Sequence, residues 1–269
     1  MQADGIVPPM LYATGCAGGY TFCAFSLPIH TGQAPSAIVP LNEPIPVAAD
    51  GRDVFVGSYD DNRVYEYALP LTASSRPIAS VPVFAPGGLV ARGKFLYAIT
   101  LGSRNLLELV RFHLPIQAYS RPTVLIVGRH RDGFNITSTA RTLYVARWST
   151  TSVSAYALPM THGEKPEYTL RNIFGDVAVT PHETYLYVTR DDAVLEYHLP
   201  YKKGEEPAGL TFSNLRNVSA PGSMAVWNGR LFVTAGSCFL SYALPFARNM
   251  LPIARVGWGG GPTSLALGD

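Results

Sequence analysis

The sequence lacks the features of a membrane protein, a disulfide-rich protein and a nucleic-acid-binding protein. No apolar run reaches the roughly 18 residues that a membrane-spanning helix needs. The three cysteines, Cys16, Cys23 and Cys238, are too few for a disulfide framework and show no metal-ligand spacing. A net charge of +2 is too mild to favour nucleic acid or an anionic membrane. We therefore expect no membrane span and no nucleic-acid partner.

The signatures of common enzyme classes are also missing. No Gly-x-Ser-x-Gly motif occurs, and the histidines never fall in His-x-His or His-Glu-x-x-His spacing. Residues 88–94 match most of a phosphate-binding loop, but Phe95 follows where Ser or Thr is needed. That stretch also spans a predicted β-hairpin, with no helix to receive a phosphate. The motifs leave open whether the protein is an enzyme.

A short motif, aromatic-x-Leu-Pro, recurs through the whole sequence. Its prolines are Pro28, Pro70, Pro115, Pro159, Pro200 and Pro245, at intervals of 42, 45, 44, 41 and 45 residues. A second proline follows seven residues after each of them. No helical period appears, so a repeat of this length indicates a series of β-rich units.

Each unit contains four short runs typical of β-strands, which we call strands A to D. Strand A is a small apolar run, strand B carries a Tyr or Phe, strand C ends in the Leu-Pro motif, and strand D follows the second proline. Asp50-Gly51 and Asn228-Gly229 are hairpin turns that join A to B. Six such units predict an all-β, six-bladed β-propeller with four-stranded antiparallel blades, formed by residues 1–269 as a single domain. We expect the ring to close where C-terminal residues 263–267, a lone strand A, pair with the N-terminal strand at residues 10–14.

The amino-acid sequence of one unit resembles a known repeat. Residues 185–190 read Tyr-Leu-Tyr-Val-Thr-Arg and residues 193–197 read Ala-Val-Leu-Glu-Tyr. This resembles the YVTN/lactonase-like (NHL-type) propeller repeat, with its Leu-Tyr-Val-Thr-Asn core and Val-x-x-Tyr end. The resemblance implies a propeller with a secreted or extracytoplasmic location. It implies no single activity, because lactonases, surface-layer proteins and ligand-binding modules share these repeats.

One aligned position falls at the start of every strand A, on the face of the D-to-A and B-to-C loops. Its six members are Pro46, Gly88, Asn135, Asp176, Ser223 and Ser264. Four consecutive units thus carry a short polar side chain near the mouth of the central channel. Asn135 and Asp176 could ligate a hard cation, or such side chains could hydrogen-bond their own backbone. Both interpretations remain open.

An enzyme alternative is a metal-dependent hydrolase similar to gluconolactonase and strictosidine-synthase-like propellers. The resemblance implies Asn or Asp ligands directly before a glycine at the start of strand A, with a Glu from another blade. That position holds Phe134, Gly175 and Gly222, so Asp176 comes one residue late. Under this alternative a divalent cation, Ca²⁺, is held by Asp176, Asn135 and Glu43.

The loops of the same face also carry arginines and tryptophans. Arg147 and Arg190 could bind a carboxylate or sulfate group. Trp148 and Trp258 could offer a platform to a sugar or aromatic ligand, or pack over the ends of neighbouring blades. Trp227, at the end of a strand A, is expected in the core.

The cellular compartment is not fixed by the sequence. Residues 1–5 contain neither the basic segment nor the apolar stretch of a signal peptide, so we expect none in this sequence. Cys16 and Cys238 lie at B-to-C turns of units that become neighbours in a closed ring. They form either a disulfide between those units or two small buried thiols.

The sequence as a whole predicts a binding or scaffold protein that recognises a small molecule, a glycan or a protein on its loop face. The predicted contacts are Arg147, Arg190, Trp148, Asn135 and Asp176. No cofactor is expected except the Ca²⁺ of the hydrolase alternative. A second alternative is a surface-layer or assembly subunit that makes its contacts through the blade edges.

Overall fold

The fold was analysed in a computed structural model. It describes residues 9–16, 18–102, 106–130, 134–173, 175–202, 207–211, 221–247, 250–257 and 263–268. Every regular element in these ranges is a β-strand. None of the described residues forms a helix long and apolar enough to cross a bilayer.

The strands form six four-stranded sheets, which are the blades of the propeller. Blade 1 contains β1 (Met10–Thr14), β2 (Thr21–Ser26) and β3 (Ala37–Pro40), together with the last strand, β24 (Leu265–Gly268). Blade 2 contains β4 (Pro44–Ala49), β5 (Asp53–Ser58), β6 (Arg63–Ala68) and β7 (Ala79–Pro82). Blade 3 contains β8 (Gly88–Arg92), β9 (Phe95–Leu101), β10 (Leu106–His113) and β11 (Thr123–His130). Blade 4 contains β12 (Phe134–Ser138), β13 (Thr142–Arg147), β14 (Ser152–Ala157) and β15 (Tyr168–Arg171). Blade 5 contains β16 (Val177–Val179), β17 (Tyr185–Arg190), β18 (Ala193–His198) and β19 (Ala208–Thr211). Blade 6 contains β20 (Pro221–Trp227), β21 (Arg230–Ala235), β22 (Cys238–Ala243) and β23 (Ala254–Gly257).

The ring closes as the sequence predicts. The C-terminal strand β24 pairs antiparallel with β1, so that Met10 lies opposite Gly268 and Ala13 opposite Leu265. Blade 1 is therefore built from both ends of the chain, and the six-bladed, all-β architecture is confirmed. Because β1 is paired on both sides, the first and last segments leave no open gap between blades.

The core consists of six apolar clusters, and each lies between two neighbouring blades. In one of them Tyr97 and Leu109 of blade 3 pack against Leu143 and Val145 of blade 4. At the ring closure, Phe25 of blade 1 meets Phe239 of blade 6 edge-on, with ring centroids 5.4 Å apart. Burial stabilises such clusters by about 25 cal/mol per Å² of apolar surface. The blades thus depend on one another for their core.

The Leu-Pro motif has a role that the sequence did not reveal. All six Leu–Pro peptide bonds are cis, an isomer common only before proline. The residue after each proline packs into the cluster between its own blade and the preceding one. These six anchor residues are Ile29, Leu71, Ile116, Met160, Tyr201 and Phe246. The repeated motif therefore joins successive blades.

In three blades a polar side chain also holds the backbone of the anchor residue. Glu66 Oε2 accepts a hydrogen bond from Ile116 N (3.1 Å), and Glu196 Oε2 accepts one from Phe246 N (3.4 Å). At the third contact, Arg111 Nη1 donates to the carbonyl of Met160 (2.6 Å). Glu66 and Glu196 are both buried. Each contact satisfies backbone groups of a loop that no strand partner reaches.

We expect Glu66→Ala to lower the free energy of unfolding by about 1–3 kcal/mol, because the buried amide of Ile116 loses its acceptor. Glu66→Gln is the matched control, since its amide oxygen can accept the same hydrogen bond. Urea denaturation of both variants and the wild type measures the difference. If the alanine variant unfolds like the glutamine variant, the contact does not join the blades.

The cysteines pair differently from the prediction. Cys16 forms a disulfide with Cys23, across the turn between β1 and β2, and Cys238 is a buried free thiol. Of the two alternatives, the disulfide between Cys16 and Cys238 is not formed, and Cys238 is the buried thiol that the other alternative gave. Cys16 pairs with Cys23 because β2 is antiparallel to β1 and sets Cys23 opposite Ala13, beside the turn that carries Cys16.

We therefore expect the protein, denatured without reductant, to expose one reactive thiol of its three cysteines. Thiol titration measures this number, and peptide mapping under non-reducing conditions should recover the Cys16 and Cys23 peptides joined. Three reactive thiols, or a Cys238 peptide joined to another, would contradict the pairing.

Candidate functional site

The inner strands of the six blades surround a central channel. The channel is a cavity of about 460 Å³. Its walls run from Asn135 and Asp176, at the starts of the inner strands, to Arg92 and Trp227 at their far ends. We call the end at the strand starts, on the face of the D-to-A and B-to-C loops, the mouth.

Five of the six residues predicted at the mouth do line the channel: Gly88, Asn135, Asp176, Ser223 and Ser264. The sixth, Pro46, does not, and blade 2 contributes Ile45 instead. The pairing of β4 with β5 is irregular between Pro44 and Val47. This irregularity places the Pro46 ring over Gly57, where an added Cβ would lie 2.6 Å from Pro46 Cγ. A regular repeat could not have shown this shift.

The polar side chains at the mouth point around the ring toward the next blade. Ser223 Oγ of blade 6 accepts a hydrogen bond from Leu265 N in blade 1 (3.0 Å). Ser264 Oγ of blade 1 accepts one from Val47 N in blade 2 (3.4 Å). Each serine thereby satisfies an amide on the inner edge of a strand, where no further strand is available.

Asp176 of blade 5 departs from this pattern. Its Oδ1 accepts a hydrogen bond from Asn135 Nδ2 of blade 4 (2.7 Å). Its Oδ2 faces Gly222 of blade 6, where an added Cβ would lie 3.8 Å away. Pairing of β20 with β21 is irregular between Pro221 and Met224. Met224 N occupies the position in blade 6 that Leu265 N occupies in blade 1, but it does not donate a hydrogen bond to Asp176. No hydrogen bond from any described residue reaches Oδ2.

The environment of Asp176 disfavours its charged form. Burial raises the pKa of the Asp176 carboxyl, and the hydrogen bond from Asn135 offsets part of that rise. No arginine or lysine among the described residues contributes to lowering this pKa. Asn135 uses its amide nitrogen for Asp176, so its amide oxygen remains an acceptor.

Trp148 also lines the mouth, as one of the predicted contacts. It lies at the B-to-C turn of blade 4 and is 55% exposed. Trp227, expected in the core, instead lines the far end of the channel and packs partly against the cluster at the ring closure. Trp258 lies outside the described residues.

The two predicted arginines lie away from the channel lining. Arg190 is exposed, and its Nε is 3.9 Å from Asp191 Oδ2 in a surface ion pair. Arg147, at the end of β13, is half-buried and is not part of the channel wall. A bidentate anion site built from both is therefore not formed in the channel.

The predicted metal ligands are only partly brought together. Asn135 and Asp176 are hydrogen-bonded neighbours, but Glu43 lies on an exposed turn outside the channel wall. A hydrogen bond with Asp60 raises the pKa of Glu43, assisted by desolvation and by repulsion between the two carboxyls. Among the described residues no group of three or more His, Cys, Asp or Glu side chains is placed to hold a metal ion.

Comparison with known proteins supports the fold and nothing finer. No family model matches the sequence, and no curated protein matches it either. Solved structures with the same fold include apo AztD from Citrobacter koseri, at 11% identity and a TM-score of 0.60, covering 96% of this chain and 97% of that one. Another is the PQQ-bound aldose sugar dehydrogenase from Streptomyces coelicolor, at 14% identity and a TM-score of 0.59, covering 88% of each chain. The β-propeller domain of Cps50 (Swd1) from Myceliophteria thermophila is also similar, at 9% identity and a TM-score of 0.58, over 92% of this chain and 83% of that one.

We expect Asp176→Asn to raise the melting temperature at neutral pH. Because the folded-state pKa is raised, the native state binds the proton more tightly than the unfolded state, and stability falls as pH rises above the unfolded pKa of about 3.9. The gain should therefore shrink toward zero as the pH is lowered through this range. Melts of both proteins across pH measure it.

The control is Asp192→Asn, on an exposed turn of the same blade. It should leave the melting temperature unchanged. A destabilised Asp176→Asn protein at neutral pH would show that the carboxylate is satisfied in the fold.

Proposed function

We propose that this protein is a ligand-binding propeller whose site is the mouth of the central channel. The observation that carries the proposal is Asp176, whose Oδ2 has no hydrogen-bond partner among the described residues although burial raises its pKa. Asp176 is only half-buried and lines the channel, so a ligand that donates a hydrogen bond can reach Oδ2 without breaking a bond among the described residues. Asn135 and Trp148 are the neighbouring contacts.

The size and lining of the channel favour a small molecule over a glycan or a protein. Its volume of about 460 Å³ falls within the range of ordinary small-molecule sites. One residue below the mouth, Val177, Met224 and Leu265 line the cavity, although most of each side chain is buried in a cluster between blades. A cavity of this volume, with polar groups at its mouth and apolar residues below, suits a small ligand whose polar end stays at the mouth. Arg147 and Arg190 lie outside it and would meet only a ligand that extends over the rim.

Membership of the YVTN/lactonase-like family and a secreted location remain part of this proposal. The disulfide between Cys16 and Cys23 supports an oxidising compartment, because disulfides persist there. The similar structures differ in their ligands: AztD is in its apo form, and the aldose sugar dehydrogenase is bound to PQQ. A shared propeller therefore supplies no ligand for this chain.

A metal-dependent hydrolase is the second candidate, and the Asn135–Asp176 pair is the observation that favours it. Its weakness is the position of Glu43, which leaves the pair without the expected third ligand. Metal analysis of protein purified without chelator, with melts in EDTA and in Ca²⁺, separates the candidates. A bound divalent ion with a lower melting temperature in EDTA would favour the hydrolase.

The direct test of the binding proposal is a thermal-shift screen of small molecules, lactones included. We expect hits whose affinity falls at least about tenfold, or 1.4 kcal/mol, in Trp148→Ala and in Asp176→Asn. Tyr119→Ala is the matched control, since Tyr119 is 93% exposed on a C-to-D loop at the opposite end of the propeller. Hits that are equally tight in all three variants, or no hits at all, would contradict a site at the mouth.

A further inference from the structure

The hydrogen-bonding groups at the mouth present acceptors to the cavity. Among the described residues Asp176 Oδ2 has no donor, and the Asn135 amide oxygen can accept a hydrogen bond because the amide nitrogen is the atom that donates to Asp176 Oδ1. No lysine or arginine of the described residues lines this end of the channel. The complementary ligand group is a hydrogen-bond donor.

The charge of the Asp176 carboxylate indicates which class of hydrogen-bond donor the ligand carries. The side-chain hydrogen bond to Asp176 comes from the neutral amide of Asn135, and no arginine or lysine among the described residues lines the mouth beside this carboxyl group. A neutral alcohol would supply a hydrogen bond but no countercharge. A cation with N–H groups would supply both, and charge-assisted hydrogen bonds are roughly twice as strong as neutral ones.

The other walls suit an organic cation better than a metal ion. Trp148 presents an exposed indole at the mouth, and the face of an indole attracts ammonium groups within about 6 Å. Val177, Met224 and Leu265 line the cavity below the mouth with the parts of their side chains that the clusters leave uncovered. A hard metal ion is typically bound by six or more oxygen ligands, whereas Gly88 has no side chain at the mouth and Ser223 Oγ already accepts a hydrogen bond from Leu265 N.

The charged residues at the far end of the channel differ from Asp176, because they form hydrogen bonds within the protein. Asp50 Oδ1 accepts hydrogen bonds from Arg52 N (3.1 Å) and Asp53 N (3.0 Å) within its own turn. Arg92 Nε donates to Ser138 Oγ of the next blade (3.3 Å). These charges are already hydrogen-bonded inside the fold, so the acceptor at the mouth is particular to Asp176.

We propose that the mouth binds a small alkylammonium ion, with its N–H groups on Asp176 Oδ2 and the Asn135 amide oxygen and its aliphatic chain along the apolar wall. The inference rests on the proposed function and names the chemical class of its ligand. Asp176 is the specificity-determining residue, because its carboxyl group favours a cation over a neutral or anionic molecule of the same shape, and Trp148 adds to that preference.

The test uses three probes of equal chain length and different charge: butylamine, butanol and butyrate. Saturation-transfer NMR at neutral pH and fixed ionic strength gives the Kd of each for the wild type, Asp176→Asn, Trp148→Ala and Tyr119→Ala. We expect butylammonium to bind the wild type at least about tenfold more tightly than butanol, and butyrate more weakly still. Asp176→Asn should remove the preference for the cation, Trp148→Ala should weaken it, and Tyr119→Ala should leave it intact.

The other outcomes separate this inference from the proposed function. If butanol or butyrate binds as tightly as butylammonium and Trp148→Ala weakens it, the mouth is a ligand site but the cation is wrong. A cation preference that survives Asp176→Asn also overturns the inference. If none of the probes binds and the small-molecule screen gives no hits, both proposals fail.

Discussion

The structure depends on the packing contacts that join each blade to the preceding blade. The residue after every Leu–Pro bond packs into the cluster between its own blade and the preceding blade. In three places a polar side chain, buried Glu66, buried Glu196 or half-buried Arg111, also hydrogen-bonds the backbone of that anchor residue. Since every apolar cluster is shared between two blades, a blade cannot bury its own faces alone. Closure by β24 and β1 then lets the last cluster form like the others.

These contacts between blades also fix the geometry of the channel. Six equivalent inner strands present one residue each to the mouth, and the serines of blades 6 and 1 hydrogen-bond an amide of the next blade. The same position in blade 5 holds Asp176, beside a strand whose pairing is irregular. One oxygen of this carboxylate therefore faces Gly222 and lines the channel, with no hydrogen bond from the described residues. The candidate site is a local departure from the hydrogen bonding that the two serines show.

The regular part of the molecule was predictable from the sequence, because it depends on periodic residues. The aromatic residues of strands B and C and the paired prolines set the strands, and alignment of the units placed Asn135, Asp176, Ser223 and Ser264 at the mouth. The errors arise where the backbone breaks the repeat: an irregular pairing turns Pro46 away from the channel, and an exposed turn carries Glu43 elsewhere. The pairing of Cys16 with Cys23 depends on strand register rather than on neighbouring blades. The anchor residues could also have been predicted, since the residue after each Leu–Pro is apolar or aromatic in all six units.

The most direct test of the account is a crystal structure of the protein soaked in butylamine. The account predicts an ammonium nitrogen about 2.8 Å from Asp176 Oδ2, with the carbon chain in the channel and the Asn135–Asp176 hydrogen bond kept. The contradicting result is an Asp176 Oδ2 that accepts a hydrogen bond from the protein itself, with no amine at the mouth.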